Sequence, residues 1–77
     1  MDQEASENIE NLLAQEGSEA QQKAALQRLG EMLEESYILN LPPSKNILQA
    51  LLSYSKKRQA PAALSKRAAK LYKQYKI

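Results

Sequence analysis

The sequence predicts an all-α fold, a compact five-helix orthogonal bundle, and three observations predict it. The 77 residues hold only two Gly and three Pro, while Ala, Leu, Gln, Glu and Lys, which favour helices, are plentiful. Apolar residues recur at i, i+3 and i+4 in several separate stretches, the spacing of a single helical face. Where one short apolar stretch could locally extend as a strand, the rest of the chain offers it no partner strand.

Residues 1–6 read as a frayed start. Ser6 suits the cap of a first helix from Glu7 to about Gln15, with Ile9, Leu12 and Leu13 on its apolar face. Glu7 and Glu10 lie near the helix start, where the dipole favours acids. Gly17 fits the left-handed position that ends a helix. Ser18 opens a second helix, and "SEAQ" forms a capping box with Gln21 at the third helical position. That helix reaches about Glu35, with Ala25, Leu26, Leu29, Met32 and Leu33 as its stripe. Gly30 inside it costs about 1 kcal/mol relative to Ala, which a close approach by another helix would explain. Residues 36–41 are too apolar for a free loop and read as one or two buried helical turns. Pro42 and Pro43 end any helix before them. Ser44 caps a helix from Lys45 to about Lys57, with Ile47, Leu48, Leu51 and Leu52 buried. Pro61 suits the first position of the last helix. That helix carries Leu64, Ala68, Leu71, Tyr72 and Tyr75 on a 3.6-residue stripe to about Tyr75. Leu51, Leu64, Leu71 and Tyr72 are expected in the core. Proline breaks rule out a sustained coiled coil.

The length implies one domain over 1–77. A chain this small hides only about 60% of its unfolded surface, so its core is thin. Without Cys or His there is no disulfide, no thiolate ligand and no neutral-pH imidazole base. No apolar run approaches the ~20 residues that span a bilayer. The polar, acidic N-terminus is the opposite of a signal peptide, and the chain is expected to be soluble and intracellular. No phosphate loop or nucleophile elbow is present, and Glu34 and Glu35 point about 100° apart on a helix. The expectation is a non-enzymatic protein with no cofactor and no metal.

The net charge of +2 hides a division. Residues 1–35 hold all nine acids and two bases, a formal −7; residues 36–77 hold nine bases and no acid. Such asymmetry speaks of partners and of attraction between the two parts. The basic run "KKRQAP" and the basic last helix fit three readings: a nucleic-acid arm, a membrane-surface helix or one wall of a docking module.

The order of these pieces resembles a known family. A short acidic helix precedes "ALQRLGEML"; an apolar break follows, then "SKNILQALLSYSKK", a basic corner and "ALSKRAAKLYKQYK". This resembles the N-terminal domain of transcription elongation factor TFIIS, the LW domain, also found in elongin A and a Mediator subunit. It is closest in pattern to the integrase-binding domain of the lens-epithelium-derived growth factor family. The resemblance covers nearly the whole chain. Tyr72 falls where many members carry Trp, and Tyr75 where the growth-factor variant carries Phe. Ser44, Lys45, Asn46 and Ile47 replace a "GKTVN"-like segment.

The resemblance implies a nuclear module that docks short acidic and bulky-apolar motifs of disordered transcription or chromatin factors. Its receiving surface would lie at two interhelical corners. Carried over, the first is Gln15, Glu16 and Gly17, and the second is Lys56, Lys57, Arg58 and Gln59. Lys57 stands where members often carry an aromatic or aliphatic side chain, and Tyr54 is the residue that would replace that surface if it does not pack inside. Lys66, Lys70 and Lys73 share a helix face, either solvated or a secondary basic surface. The runner-up function is a basic nucleic-acid-binding helical domain. Membrane binding is disfavoured, since the apolar face of the last helix is needed inside. A monomer is expected.

Overall fold

In the computed structural model, which describes residues 2–14 and 17–76 with side chains from Ala5 onward within them, the chain is all-helical. Four helices, not five, form among the described residues: α1 Asp2–Leu13, α2 Glu19–Ile38, α3 Lys45–Ser55 and α4 Ala62–Tyr75. α1 packs on α2 and α3 on α4, and the two hairpins join through α1 on α3 and α2 on α4.

α1 starts at Asp2, so the expected frayed segment is helical and Ser6 lies inside the helix rather than capping it. Ala5 in its first turn is a strong helix former. At α2 the Ser18 hydroxyl accepts from the Gln21 amide at 3.1 Å. The Gln21 side chain does not close the box; its Nε2 donates instead to Asn11 Oδ1 at 3.0 Å, tying α2 to α1. Gly17 does not adopt the left-handed backbone expected of it. Ser44 caps α3, its hydroxyl accepting from the Ile47 amide at 3.4 Å. Pro61 is the N-cap of α4 rather than its first helical residue.

The largest correction falls on residues 36–41. α2 runs on to Ile38 and ends in a Schellman motif. The Asn40 amide donates to the Tyr37 carbonyl at 3.1 Å and the Leu41 amide to the Ser36 carbonyl at 2.8 Å. Asn40 supplies the left-handed residue, φ 59°, which asparagine tolerates better than other residues with a side chain. The expected third helix is thus the last turn of α2, and its apolar side chains face outward. Tyr37 is 76% exposed, Ile38 71%, Leu39 60% and Leu41 55%.

One core lies between the hairpins. Leu12 enters it from α1, Leu26, Leu29 and Leu33 from α2, and Ile47 and Leu51 from α3. Leu64 and Ala68 close it from α4. Leu71 and Tyr72, expected inside, are half-buried at its edge. Gly30 faces α4, where a Cβ would lie 3.2 Å from Leu71 Cδ1. The close approach expected at this glycine is therefore present. Gly30→Ala should change stability little, since a helix-propensity gain of about 1 kcal/mol is offset by displacing the Leu71 tip. Gly30→Ile should overpack the contact and destabilise by about 1–3 kcal/mol. Urea unfolding followed by circular dichroism checks both.

Candidate functional site

Helix lengths bring the α1–α2 connection and the α3–α4 connection to the same end of the bundle. Lys57 joins them. Its Nζ reaches the carbonyls of Leu13 at 3.5 Å and Ala14 at 3.4 Å. Leu13 ends α1 and Ala14 follows it; the last carbonyls of a helix lack intrahelical partners, and a lysine there also suits the negative helix end. Lys57 of the second expected corner therefore reaches Ala14, immediately before the first. Gln15 and Glu16 lie outside the described residues. Lys56, Arg58 and Gln59 are exposed, whereas Lys57 is half-buried and turned toward α1.

Tyr54 is not part of any surface. It is 0% exposed, which corrects its place among the partner-contacting residues. Its position follows from the stripe Ile47, Ala50, Leu51 and Tyr54, all buried on one side of α3. A phenol inside needs a partner for its hydroxyl. The Tyr54 hydroxyl donates to Gln22 Oε1 at 2.7 Å, and Gln22 Nε2 donates to the Gly17 carbonyl at 3.0 Å. This buried relay fixes α3 to the start of α2 directly behind the corner. Burial first, and the negative charge of Glu19 second, push the Tyr54 hydroxyl above the ordinary tyrosine range.

On α4, Lys66, Lys70 and Lys73 are all exposed. None of them forms an ion pair among the described residues; the pair between Arg28 and Glu31, 3.3 Å, lies within α2. Among the described residues no helix is long and apolar enough to cross a membrane.

The opposite end of the bundle holds residues that the sequence reading placed inside. Two clefts meet there along Pro42, Pro43 and Lys76. One lies between α3 and α4 and is lined by Lys45, Leu48, Leu52 and Tyr72. The other runs under the end of α2, past Tyr37, Leu41 and Tyr75. The signal for this end was Asn40 two residues before a proline pair: a left-handed exit puts the following residue beyond the helix. Compared with known proteins, the chain matches no family model, no curated protein and no solved structure.

Two measurements check the corner. Tyr54→Phe removes the donor to Gln22 Oε1 and should cost about 1–3 kcal/mol at neutral pH. Because the folded-state pKa is raised, the contribution of the neutral phenol is fully present below about pH 10 and is lost as pH rises through the folded value. Stability of the wild type should therefore fall more steeply above about pH 10 than that of Tyr54→Phe, read by chemical unfolding at stepped pH. Lys57→Met keeps the stem but loses the two carbonyl contacts. It should cost less than about 1 kcal/mol, with faster amide exchange confined to the end of α1.

Proposed function

We propose that the domain is a non-enzymatic docking module of the TFIIS N-terminal kind. It takes short acidic and bulky-apolar motifs of disordered transcription or chromatin factors, in the nucleus and as a monomer. The observation that supports this reading is the contact of Lys57 with the Leu13 and Ala14 carbonyls, with Lys56 and Arg58 beside it exposed and without ionic partners among the described residues. The residue order that resembles the family supports it independently, from the acidic first helix through "SKNILQALLSYSKK" to "ALSKRAAKLYKQYK".

The physics of capture follows from exposed bases beside ordered backbone. Basic side chains speed encounter with an acidic segment and set its direction. A disordered ligand loses entropy as it orders, so affinity in the micromolar range is expected. Lys57 contributes differently from its neighbours. With its ammonium held on the α1 carbonyls, it positions the corner, and the reversible contacts fall to Lys56, Arg58 and Gln59.

A nuclear magnetic resonance titration with a synthetic acidic-aromatic peptide should shift the amides of Gly17, Lys56, Arg58 and Gln59. Lys56→Glu with Arg58→Glu should weaken that binding by about tenfold or more while the helical spectrum stays unchanged. An unresponsive corner, together with salt-sensitive shifts along Lys66, Lys70 and Lys73 on adding duplex DNA, would instead establish the nucleic-acid reading.

A further inference from the structure

The end of the bundle away from the corner carries a second, chemically different surface. Exposed apolar side chains on a small domain are ordinary when scattered. Here Tyr37, Ile38, Leu39 and Leu41 are consecutive or nearly so, and all are more than half exposed. Tyr37 and Leu41 line one of the two clefts that share Pro42, Pro43 and Lys76, so this apolar surface is continuous with a trough between α3 and α4. Leu48, Leu52 and Tyr72 supply its floor.

The trough is built rather than incidental. Tyr37 packs edge-on against Tyr75, ring centroids 6.3 Å apart and planes at 71°, a favoured aromatic geometry. Lys76 Nζ lies 5.5 Å from the centroid of the Tyr72 ring, which holds a cation over the aromatic wall. The Schellman motif fixes Leu41 and Pro42 at the rim. The backbone is thus set by hydrogen bonds, not left to the occupant.

Charge selects the occupant. Among the described residues Lys45 and Lys76 line the clefts and no Asp or Glu does; Glu34 stands outside them, beside Tyr37 and Tyr75. A second copy of this chain seated trough to trough would set lysines against lysines, because an isologous contact pairs the same patch with itself. An acidic segment with large apolar side chains meets both features at once. Resting on the reading of the domain as a docking module, we propose that this trough is a second seat, separate from the corner. It takes an acidic peptide of a partner protein through two or three bulky apolar anchors, with Lys45 and Lys76 facing its carboxylates. Because Tyr54 is buried behind the corner, the trough offers the larger apolar surface of the two seats.

The test uses the whole chain and a synthetic peptide rich in Asp and Glu with Trp, Phe and Leu anchors, beside a control peptide whose anchors are replaced by Ser. The anchored peptide should shift the amides of Tyr37, Leu41, Leu48 and Tyr72, and the control should shift none of them. Leu41→Asp should weaken trough binding by about tenfold or more, and Lys45→Glu should weaken it several-fold, more at low salt. Neither variant should alter shifts at Gly17, Lys56 and Gln59, whereas Lys56→Glu with Arg58→Glu should alter those alone. Should Leu41→Asp unfold the domain, Lys45→Glu at its exposed position carries the test. Shifts confined to the corner overturn the trough and leave the docking reading standing; shifts confined to the trough keep the trough and overturn the corner as a seat. Two further results also overturn the proposal: self-association by sedimentation that Leu41→Asp abolishes, and binding to anionic vesicles in preference to the peptide.

Discussion

A single tyrosine hydroxyl holds the two hairpins in register. Tyr54 donates to Gln22 Oε1 at 2.7 Å and Gln22 passes the tie on to the Gly17 carbonyl. Apolar packing between the hairpins is non-directional and would tolerate sliding of one pair along the other. A buried hydrogen bond of fixed length does not, since a shift would strand a phenol and an amide away from water. Both ends of the relay are satisfied, and no buried side-chain polar atom lacks a partner among the described residues. The position of α3 relative to the start of α2 is what sets the corner. Lys56 to Gln59 follow directly on α3, and Lys57 lands on the end of α1 because Tyr54 is anchored one turn earlier.

Among the described residues, Lys66, Lys70 and Lys73 of α4 form no ion pair with the acids of α2. The acidic residues of α1 and α2 and the bases of α3 and α4 attract at long range, but the ion pair between Arg28 and Glu31 stays within one helix and is exposed on both sides. Such a contact contributes at most about 1 kcal/mol. The unpaired bases of α4 therefore keep their field, which reaches about 8 Å at physiological salt before it is screened. The same geometry that leaves them unpaired keeps them available to an acidic partner.

Much of the fold was legible in residue spacing. The stripes of α2, α3 and α4 put Leu26, Leu29, Leu51, Leu64 and Ala68 where they are found, and Ser18 and Ser44 marked the caps. Gly30 was legible too, as a place for a close approach by another helix, though not that Leu71 makes it. Tyr54 sits three residues after Leu51 and seven after Ile47, a spacing that continues their buried side. The expected stripe stopped at Ile47, Leu48, Leu51 and Leu52, however, and the resemblance put Tyr54 at the surface, where it is not found. The role of Lys57 was not legible, because its partners are backbone carbonyls more than forty residues away and leave no trace in side-chain pattern. Residues 36–41 were misread because apolarity was equated with burial. That rule runs one way: cores are apolar, but more than half of a folded surface is apolar as well.

The outward set of that segment has a local cause. A Schellman motif commonly gains a hydrophobic contact between the residue after the left-handed one and the third or fourth residue from the helix end. In this chain those positions are Leu41 on one side and Ser36 or Glu35 on the other. A leucine has nothing apolar to close on there, so it stays at the rim. Folding the segment inward instead would require Pro42 and Pro43 to follow a helical residue, which their rings oppose. The domain thus forgoes about 25 cal/mol for each Å² of apolar surface it leaves wet, a sizeable omission for a chain with a thin core. The backbone that exposes this surface is hydrogen-bonded and ends in two prolines, so occupancy needs little further ordering of the protein itself. A rigid, uncovered apolar rim beside two lysines favours capture by the same logic that disfavours collapse.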